Sequence, residues 1–161
     1  MAVNVEVEKQ SWGRRLWRYG PLVAWACFVL FASSSSFSAS NTSRIIRPLL
    51  LWLFPDITEA SLAYAHFLVR KAAHFSEYAV LALLAARAFL SSSRPALRGR
   101  WAAAAISLVA ACALLDEYHQ TFVPARGGSV YDSMIDVAGG AVALASVALW
   151  RRRRQRARRQ K

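Results

Sequence analysis

The sequence predicts an all-α membrane bundle: four transmembrane helices, both termini cytoplasmic, an extended second helix and a polar bowl in the outer leaflet. Three observations predict it. First, 56% of the 161 residues are hydrophobic and the mean hydropathy is +0.26. The apolar residues gather in four blocks, at 21–37, 78–90, 101–115 and 137–150. A single run of that kind suits a buried core helix, whereas four leave too little polar sequence to cover them, and each approaches the roughly 20 residues of a spanning helix. Second, 16 of the 21 Lys and Arg residues lie in the N-terminal segment, around the second connection and in the C-terminal tail. With four spans those three segments share one side, and the positive-inside rule makes it the cytoplasmic side. Third, ionisable residues crowd the outer ends of blocks two, three and four.

The elements follow in order. Arg14, Arg15 and Arg18 precede the first block, a pattern that also opens secretory signal peptides. No clean small-x-small cleavage site precedes a soluble domain, so the block is expected to be retained as a span. The serines at 33–36 are expected to satisfy helix ends and to pack closely. PLLLWLFP, at 48–55, is too short to span and reads as an interfacial segment. After it, Asp56-Ile57-Thr58-Glu59 has capping-box spacing and predicts a helix with Asp56 as N-cap and Glu59 at N3. No Gly or Pro interrupts that helix through His74 to Leu90, so its first half is expected at the outer surface and its second half inside the membrane. Arg87 is expected to snorkel to the cytoplasmic interface. Arg94-Pro95 should end the helix and Gly99 should mark the turn into the third block. The fourth block closes at Trp150 and runs into RRRRQRARRQK. The expected organisation is a cytoplasmic tail at 1–19, a transmembrane domain at 20–150 and a basic cytoplasmic tail at 151–161.

The net charge of +12 would suit nucleic acid. Its placement argues otherwise, because the arginine run starts directly after an interfacial tryptophan, where basic residues set topology and meet anionic lipid heads. Membrane lipids are the expected partners, and no nucleic acid is. Cys27 and Cys112 both lie inside apolar blocks and read as small packing residues rather than a disulfide or metal pair.

At ~1.5 Å per residue the apolar parts of blocks two, three and four reach only ~20, ~22 and ~21 Å, short of the ~30 Å hydrocarbon thickness. In each, the missing part is the outer end, where RKAAHFSEY, LLDEYHQ and YDSMID take over. The expected site therefore draws Arg70, Lys71, His74, Glu77 and Tyr78 from the second helix, and Asp116, Glu117, His119 and Gln120 from the third. Arg126 joins from the turn VPARGG, and Asp132 and Asp136 from the fourth helix. Lys71, His74 and Tyr78 share a face by their three- and four-residue spacing; Asp116, His119 and Gln120 do the same, as do Asp132 and Asp136. Gly139-Gly140, one turn further on, would let helices approach closely. The fixed charges are three positive (Arg70, Lys71, Arg126) against five negative (Glu77, Asp116, Glu117, Asp132, Asp136).

A site built only to grip an anion should be net cationic. These groups are expected either to clamp three helix ends by pairing with one another or to act on a ligand as well. His74-x-x-Glu77 and Glu117-x-His119 offer imidazole and oxygen donors. They match no strong metal motif, and Lys71 and Arg126 nearby would repel a cation. Neither a metal nor another cofactor is expected. His66 reads as an ordinary residue of an amphipathic helix.

RKAAHFSEY at 70–78, DEYHQTFVPARGGSVYD at 116–132, and then Asp136 and Gly139-Gly140, resemble the VanZ-like family of small bacterial membrane proteins. Its members carry an R-K-x-x-H-F-x-E-Y type motif at the head of one helix and a D-E-x-H-Q-x-F-x-P-G-R motif after another. An aspartate then precedes an asparagine four residues on and a glycine. The resemblance covers nearly all of residues 20–150, with both long motifs in order. Two positions depart from it: Ala125 stands where the family has glycine, and Asp136 where it has asparagine. The resemblance implies a multi-pass protein of the bacterial plasma membrane. The family takes its name from an accessory protein of a glycopeptide-resistance cluster associated with reduced teicoplanin susceptibility, which directs the outer bowl toward cell-envelope material.

Three functions follow as expectations. The first is binding of a lipid-linked or amphiphilic envelope ligand, such as a lipid-linked precursor, with Arg70, Lys71 and Arg126 meeting anionic head groups. The second is an intramembrane enzyme acting on such a substrate, since His74, Glu77, Asp116, Glu117 and His119 include acid–base pairs; no nucleophile or hydrolase motif accompanies them. The third is a purely structural ion-pair network. Four helices with one bowl show no inverted repeat of the kind transporters use, although a homo-oligomer is left open.

Overall fold

The computed structural model describes residues 2–33, 39–122 and 130–160, with side chains described within 12–33, 46–122 and 131–160. Those residues form α1 (Ala2–Ala32), α2 (Ala39–Leu53), α3 (Glu59–Leu90), α4 (Pro95–Gly99), α5 (Trp101–Gln120) and α6 (Val130–Arg159). No strand occurs among the described residues, so the all-α expectation holds.

Among the described residues three helices are long and apolar enough to cross a membrane: α3, α5 and α6. The fourth expected span falls in α1, which is not among them; its apolar part stops at Ala32, after a first half carrying Glu6, Glu8, Lys9, Arg14, Arg15 and Arg18. The side chains in the three spans are distributed as a lipid solvent demands. Ala82, Ala85, Ala86, Ala88, Ala105 and Ala113 are buried, while Leu83, Leu114, Leu115 and Leu149 are exposed. No more than 33% of any spanning window is buried. In water such a pattern would strand large apolar surface. In hydrocarbon it is favourable, because small residues let helices pack closely and large ones meet acyl chains.

α3 packs against α6, α5 and α1 and is the centre of the bundle. Its buried stripe continues from Tyr78 through Leu81, Ala82 and Ala85 to Ala88 and meets Val109 and Ala113 of α5 and Ala143 and Leu144 of α6. α1 runs antiparallel to it. At one end the hydroxyls of Tyr19 and Ser92 share a 3.0 Å hydrogen bond. Further along, Trp25 Nε1 donates to the Glu77 carbonyl at 2.9 Å. Arg87, exposed, donates to the Trp17 carbonyl at 3.2 Å and lies over the Trp17 ring.

α3 runs unbroken to Leu90 as its sequence predicts, but its start differs. Thr58, not Asp56, is the N-cap: its extended backbone lets the hydroxyl accept from Ser61 N–H at 3.2 Å. Asp56 is consumed by a turn closed by Ile57 N–H to Phe54 carbonyl at 3.1 Å, with Pro55 at its favoured second position. Glu59 is then the first helical residue and bonds both guanidinium nitrogens of Arg47 instead of capping. Of the segment at 48–55, residues 48–53 form the end of α2, which exposes Leu49, Leu51, Trp52 and Leu53. The Arg94-Pro95 boundary opens one short helix, α4, with Pro95 in its first turn. Residues of both expected tails are helical, within α1 and α6.

Candidate functional site

The site lies where the C-terminal end of α5, the N-terminal end of α6 and the first half of α3 meet. Two glycines set the spacing. A Cβ on Gly139 would stand 2.2 Å from the Phe75 carbonyl oxygen, and one on Gly140 would stand 2.7 Å from Val109 Cγ1. With no side chains there, α6 settles directly against the α3 backbone and the α5 surface, drawing the polar residues one turn away into contact.

Asp136, only 1% exposed, faces α3 from α6, and Asp116, fully buried, comes from α5. His74 lies between them. Its Nδ1 is 3.4 Å from Asp136 Oδ1, and one donor atom from each of His74, Asp116 and Asp136 lies within 4.8 Å of the others. One oxygen of Asp116 is well supplied. Oδ2 accepts from Ser33 Oγ at 2.7 Å and Gln120 Nε2 at 3.0 Å, and Gln120 Nε2 also reaches Ser33 Oγ at 3.2 Å. Asp116 Oδ1 and Asp136 Oδ2 are buried without a hydrogen-bond partner, as is the Tyr78 hydroxyl, and Asp136 Oδ1 has only the His74 approach. About one turn away, Lys71 Nζ pairs with Asp132 Oδ1, with both side chains largely buried, and lies over the Phe67 ring.

Seven of the expected residues are thus brought to one end of the bundle: Lys71, His74, Tyr78, Asp116, Gln120, Asp132 and Asp136. Glu117 is buried beside them, and Glu77 and Arg70 are partly buried. His119 is exposed and does not join. At ~100° per residue it lies about 60° from Asp116 on the side opposite Gln120, and the buried stripe of α5, through Val109, Ala113, Asp116, Glu117 and Gln120, falls on the other side. The expected spacing was right for the helix but the buried face was not centred on Asp116. Arg126 and the VPARGG turn lie outside the described residues.

Ser33 is the residue the sequence did not single out as a site member. It directly follows α1 and is 2% exposed. The available signal was weak, a polar residue at the end of an apolar block, and the three serines that follow carried the same one.

These geometries offer three chemistries: a buried ion pair if His74 is protonated, a proton-exchanging pair, and a set of one nitrogen and two oxygen donors converging on a small volume. No curated protein and no solved structure matches the chain significantly. The family model described as VanZ/LLP1 matches residues 19–151, which contain every described site residue. A membrane-type helical bundle with RKAAHFSEY and DEYHQ facing each other across α3 and α5, and a family match over most of its length, belongs to the VanZ/LLP1 family.

Proposed function

We propose that this chain is a four-span protein of the bacterial plasma membrane, with both termini cytoplasmic, whose outer-end polar site binds the head group of a lipid-linked or amphiphilic cell-envelope ligand. The observation that carries the reading is the polarity of the bundle along its axis. His74, Asp116, Asp136 and the Lys71–Asp132 pair stand at one end. Arg87, Arg94, Arg98, Arg100 and the arginines from Arg151 onward stand at the other. Positive-inside statistics assign the arginine end to the cytoplasm. α1 supports a fourth crossing, because it reaches from Tyr19 beside Ser92 to Ser33 beside Asp116, joining the two ends.

Ionisable groups at membrane depth are costly and mark ligand or substrate sites when they face a bundle interior. In this reading Lys71, held by Asp132 at the rim, exchanges that partner for an anionic head group, and the buried triad lies beneath it. The family association makes a role in teicoplanin or general envelope susceptibility the phenotype to test. In a host where deletion changes that susceptibility, Lys71→Ala and His74→Ala should reproduce the deletion; unchanged susceptibility in both, with normal protein levels, refutes the reading. Native mass spectrometry of gently extracted protein should retain an envelope lipid and report subunit number.

A second reading is favoured by one observation, the His74–Asp136 approach of 3.4 Å inside an apolar bundle. Such a pair suits general acid–base chemistry on a lipid-linked substrate. Turnover of such a substrate by purified protein, abolished by His74→Ala, supports it; recovery of a bound lipid unchanged counts against it.

A further inference from the structure

We propose that His74 Nδ1, Asp116 Oδ1 and one carboxylate oxygen of Asp136 hold a divalent metal ion of the zinc class. The sequence led to the opposite expectation, because its motifs pair His74 with Glu77 and Glu117 with His119. Folding chooses a different set. His119 turns outward, and the residues that converge come from three helices: His74 of α3, Asp116 of α5 and Asp136 of α6.

Four observations carry the inference. The first is donor chemistry. One imidazole nitrogen and two carboxylates suit zinc and neighbouring divalent ions; calcium and magnesium prefer all-oxygen shells, and copper(I) prefers sulfur. The second is spacing. Bonds of about 2.0–2.1 Å in a tetrahedral zinc shell place neighbouring donors about 3.3–3.4 Å apart. The His74 Nδ1 to Asp136 Oδ1 separation is 3.4 Å, and the third donor lies within 4.8 Å of both, inside the reach of a modest side-chain rotation.

The third is satisfaction. Asp136 is 1% exposed and Asp116 fully buried, yet Asp116 Oδ1 and Asp136 Oδ2 meet no donor and Asp136 Oδ1 has only His74 Nδ1, 3.4 Å away. The fourth oxygen, Asp116 Oδ2, is held by Ser33 and Gln120, an arrangement that fixes the carboxylate and leaves Oδ1 without a partner. Outer partners of that kind orient metal ligands in known sites. The fourth is charge. The two carboxylates of the proposed set need neutralising, and Lys71, a described cation one turn away, is already paired with Asp132. A divalent ion cancels both charges at once, where a protonated His74 would cancel only one. The repulsion expected from Lys71 is removed by the same pairing.

Three protein donors leave one tetrahedral position open, as in reactive rather than structural zinc sites. A water or a head-group oxygen would take it. Asp136 supplies the site's second negative charge. The metal site shares its place with the proposed head-group site but does not rest on it: metal content and lipid retention can each be found without the other.

The test uses the full chain, extracted in mild detergent without chelator and carrying no histidine tag. Elemental analysis should find about one zinc-class ion per chain. Asp136→Asn is nearly isosteric, so it keeps the fold; it should lower metal retention by about tenfold or more. Asp116→Asn should do the same, and Glu59→Gln, far from the site, should not. Wild-type protein stripped of metal and titrated with cobalt(II) should develop the visible absorption of a tetrahedral nitrogen–oxygen site, a readout that needs no variant. Wild-type protein that carries no stoichiometric metal and gives no cobalt absorption overturns the proposal, and so does metal retained undiminished in the Asp116→Asn, Asp136→Asn double variant.

Discussion

The two halves of α3 solve the same packing problem by opposite means. From Ala79 to Leu90 the helix meets its neighbours with Leu81, Ala82, Ala85, Ala86 and Ala88. Contact there is apolar, close and indifferent to chemistry. From Lys71 to Tyr78 the same helix presents an ammonium, an imidazole and a phenol to carboxylates of α5 and α6. In lipid there is no hydrophobic force to hold helices together, so association rests on close packing and on polar contacts. The alanine half supplies the first and tolerates change as long as volume is kept. The polar half supplies the second, and every member constrains the others. A site can be built in this membrane protein because the alanine half holds the bundle without its help.

Gly139 is where that division is most easily broken. Its Cβ position lies against the Phe75 backbone, which cannot rotate out of the way as a side chain would. Gly139→Leu should cost about 3 kcal/mol or more and scatter the polar groups, read as a collapse of the unfolding midpoint in mixed detergent and SDS. Ser33→Ala comes next: it removes a hydroxyl donated to a buried carboxylate, worth about 1.5–2 kcal/mol. A loss below ~0.5 kcal/mol would mean that α1 does not complete the polar end. Gly140→Ala should cost about 1 kcal/mol by crowding Val109, whose branched side chain is stiff. Val109→Ala in the same chain should return most of it, a coupling measured by a double-mutant cycle. The smallest effect belongs to Glu59→Gln, which breaks an exposed pair with Arg47 and should change stability by less than ~1 kcal/mol.

What was legible in the sequence follows the same division. The apolar blocks announce α3, α5 and α6, because membrane spans are read from composition over a long window. Asp116 and Gln120 are readable as partners, being four residues apart on one helix and joined by a hydrogen bond. His74 with Asp136 is readable only as a convergence of helix ends, since nothing local says which histidine meets which carboxylate. His74 and His119 look equivalent in the sequence; the buried face of α5 separates them. Thr58 was hidden by Asp56, whose spacing to Glu59 imitates a capping box while Pro55 commits it to a turn. Ser33 was hidden by its neighbours.

α6 carries Asp132 and Asp136 near its first turn and continues without a break into Arg151, Arg152, Arg153 and Arg154. It is one rod of 30 residues, about 45 Å long at ~1.5 Å per residue. Arg154 lies over the Trp150 ring, 4.2 Å from its centroid, at the point where the apolar stretch ends. In the orientation proposed above, the rod would act as a depth gauge: where the arginines anchor among lipid phosphates would set how far below the opposite surface the aspartates hang, so a change in bilayer thickness would reach the site as a change in immersion.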